Sequence, residues 1–112
     1  MMKKKYDETN IETCPMVDVQ KIIQSKWAIL VMYYLQDETL RFGELSRKIP
    51  QVTQANLTKV LRTLEEYELV HREVYAVVPP KVEYSLTEIG QKFQIVLDAL
   101  EVWSNEYVNR KK

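Results

Sequence analysis

Leu57, Val60, Leu61 and Leu64 recur at three- and four-residue spacing, which predicts one face of an amphipathic helix in the stretch from Thr53 to Leu69. Thr53 stands just before the first of them as an N-cap, since its hydroxyl can accept from an otherwise unpaired backbone N–H. At about 100° per residue the opposite face carries Ala55, Thr58, Lys59 and Arg62, flanked by Asn56 and Thr63, with no carboxylate before Glu65. These side-chain types contact phosphates and base edges in a major groove, although most surface helices also have a solvated polar face.

Upstream, Phe42, Leu45 and Ile49 space as a short helix that Pro50 stops. Gln51 and Val52 alone separate Pro50 from the cap at Thr53. A short helix, a tight turn and a longer helix with a polar outer face make a helix-turn-helix pattern, whose second helix enters the major groove. Before it, Lys26–Gln36 is apolar on nearly every side, which predicts a central, buried helix. Pro15 suits the first turn of another helix reaching Ser25. Residues 1–13 are polar and without period, and read as a flexible arm ahead of a single domain, 14–112.

After Leu69 the period changes. Val70–Val78 is rich in β-branched and aromatic residues, and Val82, Tyr84 and Leu86 alternate with Lys81, Glu83 and Ser85. Pro79-Pro80 between the runs cannot extend a ladder, so a hairpin with a proline-built tip is expected, with Arg72 and Lys81 as its cations. Thr87 then caps a helix expected to run to about Asn109. Along it Ile89, Phe93, Val96, Leu100, Trp103 and Tyr107 form a heptad-like stripe, with Ile95, Ala99 and Val102 as a narrower second strip. Two apolar strips exceed what one small domain buries, so a partner chain is expected on Phe93, Val96, Leu100, Trp103 and Tyr107.

Composition narrows the classes. At 112 residues and 46% apolar content the chain has room for one modest core. The longest apolar run, Trp27 to Leu35, is too short to span a bilayer, which takes about 20 residues. No apolar segment follows the first lysines, so no secretory signal is expected, and a lone cysteine fits a reducing cytoplasm. Net charge is zero, which argues against indiscriminate nucleic-acid binding. The charge is segregated, however: Arg41 to Arg62 holds five basic residues against the single acid Glu44, or +4. A localised basic face on a neutral protein is the footprint of a nucleic-acid binder.

Catalytic and metal chemistry has no constellation to rest on. His71 is the one histidine, and Gly43 and Gly90 are the only glycines, so neither a ligand set nor a phosphate loop is present, and no cofactor is expected. Cys14 is the reactive candidate, because it precedes a helix start, where partial positive charge favours the thiolate. An inert packed thiol is the alternative. Tyr33, Tyr34, Trp103 and Tyr107 could line a ligand cleft, but core and interface packing accounts for them as well.

Helix-turn-helix, hairpin and long helix follow one another as in a winged helix. The residues go further, and the chain resembles the HxlR-type family of bacterial transcriptional regulators, relatives of the MarR type. The matching pieces are Cys14-Pro15, Lys26-Trp27, Arg41-Phe42-Gly43-Glu44-Leu45 and Ile49-Pro50. They continue with Leu57-Thr58 to Leu61-Arg62, Leu64-Glu65, Leu69-Val70, Arg72, Pro79 to Tyr84, Leu86 to Gly90, and Trp103. The family commonly has glycines where this chain has Gln24-Ser25, Gln51 and Glu68, which bears on local turns.

The resemblance implies an α+β, mostly α fold: a winged helix-turn-helix with a two-stranded wing and a long C-terminal dimerisation helix. It implies a non-enzymatic, cytoplasmic homodimer that binds a pseudo-palindromic site on double-stranded DNA and regulates transcription, in the first instance as a repressor. Contacts to DNA would fall on Arg41, Thr53, Gln54, Ala55, Asn56, Thr58, Lys59, Arg62 and Lys81. Some members of the family sense thiol-reactive electrophiles or oxidants through a cysteine at the position of Cys14; a small-molecule effector is the other form such control takes. The alternative for the whole chain is a winged-helix protein-interaction module without specific DNA binding.

Overall fold

A computed structural model describes residues 14–110; the N-terminal arm, 1–13, lies outside the described residues. The elements are α1 (Pro15–Ile23), α2 (Ala28–Leu35), α3 (Phe42–Lys48), α4 (Gln54–Glu66), β1 (Val70–Tyr75), β2 (Lys81–Leu86), α5 (Glu88–Lys92) and α6 (Gln94–Arg110). This is a winged helix-turn-helix.

The leucine face of α4 is the floor of the core. Leu57, Leu61 and Leu64 are fully buried with Leu45 of α3 and Val31 and Met32 of α2. Each such side chain contributes about 1.5–3 kcal/mol by leaving water. Thr53 caps α4 as its sequence position implies, its hydroxyl accepting from the Asn56 N–H at 3.1 Å. At the other end Glu68 takes a φ of 61°, the left-handed turn that glycine adopts without strain. Glu68 thus stands in a turn of the kind that glycine favours.

The wing is an antiparallel pair in which Val70 faces Leu86 and Tyr75 faces Lys81. β1 ends at Tyr75, three residues earlier than the run of β-branched residues suggests. A third segment joins it: the Leu40 N–H donates to the Tyr84 carbonyl at 2.9 Å and the Tyr84 N–H to that of Leu40 at 2.7 Å. That bridge fixes the wing to the residue just ahead of α3.

Two expectations need correction. The helix after Thr87 is interrupted at Phe93. The Phe93 N–H bonds back to the Gly90 carbonyl at 3.1 Å, one residue short of an α-helical bond, and α6 restarts from the Phe93 carbonyl. The helix apolar on nearly every side, α2, is covered on one side only. Ala28, Val31, Met32 and Leu35 are buried, whereas Leu30 and Tyr33 are exposed and face α6 across an apolar recess of about 290 Å³. Within α6 only Leu97 is buried, at 6% exposure. No helix among the described residues is long and apolar enough to cross a membrane.

Candidate nucleic-acid interface

Burying the leucines of α4 turns its other residues outward. Gln54, Ala55, Asn56, Lys59 and Arg62 are exposed, Thr58 is half-buried, and Thr53 sits exposed at the helix start. The Thr63 hydroxyl is spent on the Lys59 carbonyl at 3.0 Å. Arg41 precedes α3, where its N–H donates to Glu44 Oε1 at 2.8 Å, leaving the guanidinium at the surface. The bridge through Leu40 brings that start of α3 beside the wing.

The cations divide into two sets. Lys48 pairs with Glu38 at 3.4 Å, and Lys81 pairs with Glu83 at 3.4 Å. Lys59, Arg62, Arg41 and Arg72 have no carboxylate partner among the described residues. The basic face that remains available is thus on α4 and around it, not at the wing tip.

Lys81 is held from two sides. Besides Glu83, its ammonium lies 4.8 Å from the centre of the Tyr75 ring. Glu83 also accepts a hydrogen bond from the Tyr75 phenol and, with its charge, raises the phenol's pKa above the usual value. Glu73 stands opposite Glu83 in the ladder, and His71 lies 3.0 Å from Glu73. The outer face of the wing is therefore a chain of internal pairs. Its tip is apolar: Val77 is half-exposed and Val78 is 99% exposed.

Arg72 was not among the groove residues expected from the sequence, yet it shares a recess of about 280 Å³ with Thr58, Arg62, Glu65 and Tyr84. Strand register carries the signal: Arg72 pairs with Tyr84 and so lies on the face turned toward α4.

The remaining candidates lie elsewhere. Cys14 is half-buried at the N-cap of α1, its side chain making no capping bond. Phe93 is half-buried on the core. Val96, Leu100, Trp103 and Tyr107 are exposed along α6, where Trp103 and Tyr107 stack with ring centres 5.0 Å apart. Tyr33 and Tyr34 pack edge to face at 5.4 Å on α2, so the four aromatics form two separate pairs. No group of three or more His, Cys, Asp or Glu among the described residues could hold a metal.

Comparison with known proteins gives a consistent result. Residues 22–112 match the HxlR-like helix-turn-helix family. The uncharacterized HTH-type transcriptional regulator YdeP of Bacillus subtilis is 42% identical over 105 residues, covering 94% of this chain and 82% of that one. Among solved structures, the redox regulator HypR in its oxidized form superposes with a TM-score of 0.77 at 42% identity, over 83% of this chain and 96% of that one. The reduced form of the transcriptional regulator YodB from B. subtilis gives 0.76 at 34% identity, over 84% and 94%.

Proposed function

Because this chain belongs to the HxlR-like helix-turn-helix family of transcriptional regulators, we propose that it represses transcription by binding a two-fold symmetric site on double-stranded DNA as a homodimer, with α4 in the major groove. The observation that carries this is the unpaired state of Lys59 and Arg62 on the exposed face of α4. Arg41 and Arg72 flank that face, and Gln54, Asn56 and Thr58 offer hydrogen bonds to base edges. The homodimer forms through α6, whose exposed Val96, Leu100 and Trp103 add to the open face of α2 at Leu30 and Tyr33. A two-fold axis there sets the two copies of α4 about 34 Å apart, one turn of DNA.

Selection of bound fragments from random duplex DNA tests the reading. The expected product is an inverted repeat. Lys59→Ala with Arg62→Ala should weaken binding to it more than ten-fold and flatten the log–log salt slope by about one unit per lost phosphate contact. Recovery of no sequence by the folded dimer would favour the protein-interaction module instead.

Control through Cys14 completes the proposal. HypR and YodB, both similar to this chain, are a redox regulator and a protein studied in reduced and diamide-treated forms. Here Cys14 sits where α1 begins, so an adduct on its sulfur adds bulk at the start of a helix that packs on α2. A shift of α1 against α2 changes the spacing of the two copies of α4, on which affinity depends steeply.

A further inference from the structure

Lys26 lies between α1 and α2, with its ammonium 4.9 Å from the centre of the Trp27 ring. Trp27 is half-buried against the core, so the ring is a fixed platform. An aromatic face holds a cation in place without neutralising it. Lys26 has no carboxylate partner among the described residues, in contrast to Lys48 and Lys81.

The same side chain borders a recess of about 400 Å³ between the α1–α2 junction and α4. Lys21 lines it from α1, and Asn56, Lys59 and Thr63 line it from α4; no acidic residue among the described residues does. The recess that holds Arg62 and Arg72 meets α4 elsewhere, at Thr58, Leu61, Arg62 and Glu65. At about 100° per residue these two sets of positions lie roughly 160° apart around the helix axis. The outward face, centred on Ala55, Lys59 and Arg62, falls between them. So α4 has a cation-lined recess on each flank. A helix seated in a major groove about 12 Å wide has a wall of phosphates on each flank.

We propose that the recess beside Lys26 is the seat of a DNA backbone phosphate, gripped by Lys26 from the α1–α2 junction and by Lys59 from α4. This rests on the reading that α4 enters the major groove. It adds a contact from outside the helix-turn-helix and the wing, on the strand opposite the one that Arg62 and Arg72 face. Such a contact fixes the roll of α4 in the groove and is blind to base sequence.

The test measures binding of wild type and Lys26→Ala to the selected duplex and to a random duplex over a range of salt. Lys26→Ala should weaken both complexes by the same factor, about three- to ten-fold near 0.15 M salt, and lower the slope by about one unit per protomer. Lys26→Arg should restore both. Lys26→Gln, which keeps the stem over the ring, serves if the alanine variant melts early. Unchanged affinity and slope in a folded Lys26 variant, with binding still lost in the Lys59 and Arg62 double variant, overturns the phosphate seat and leaves α4 in the groove. A loss confined to the selected sequence also overturns it, since that marks a base contact. If wild type binds neither duplex, the reading of α4 fails and takes this inference with it.

Discussion

The Thr87 hydroxyl donates a 2.6 Å hydrogen bond to the carbonyl of Glu68, nineteen positions earlier in the chain. The same oxygen accepts from the Gly90 N–H at 3.1 Å. One side chain thus caps α5 and closes the turn that ends α4. Gly90 is drawn in so tightly that a Cβ there would lie 2.1 Å from the Leu69 carbonyl oxygen. Gly90→Ala should therefore destabilise the protein by about 2 kcal/mol or more, because backbone is the atom that must move. Glu68→Gly should act the other way and stabilise it by roughly 0.5–1 kcal/mol, since the left-handed turn strains any side chain. Denaturant midpoints of the two variants check both signs.

Lys81→Ala should change DNA affinity by less than about three-fold, because Glu83, 3.4 Å away in a half-buried pair, already compensates the charge. Glu83→Gln should do more, raising affinity by about two- to five-fold at low salt by freeing the cation from its partner. A large loss in Lys81→Ala with no gain in Glu83→Gln would show that the lysine leaves Glu83 for the phosphate.

Two leucines three positions apart on α6 should behave differently. Leu97 is buried and Leu100 is 38% exposed. Leu97→Ala should cost about 2–4 kcal/mol of stability at every protein concentration. Leu100→Asp should leave the protomer folded and convert a dimer to a monomer in sedimentation at tens of micromolar.

Alkylation of Cys14 in the native protein should lower affinity for the selected DNA, and Cys14→Ser should bind normally and ignore the reagent. A reaction seen only on unfolding, or equal affinity after full modification, places control at some other residue.

The leucine period of α4, its cap at Thr53, the hairpin and the cap at Thr87 could all be read from the chain, since each rests on spacing within a few residues. The break at Phe93 could not. No proline or glycine stands at Phe93, so nothing in the local sequence marks the interruption. Leu97 is not marked by the apolar period either, because the stripe it stands beside is the exposed one. Lys81 was legible as a cation but not as a paired one. Folding the hairpin about its prolines sets Tyr75 opposite Lys81 with Glu83 two positions on, so register holds the answer that composition lacks.

The bridge between Leu40 and Tyr84 makes the wing and the helix-turn-helix one mechanical part. Its two hydrogen bonds clamp the strand to the residue before Arg41, while the ladder runs from β1 to β2 and β1 follows directly on α4. In the proposed homodimer, a change at α1 or α6 is then expected to reach the paired copies of α4 by tilting one such unit against the other rather than by bending it.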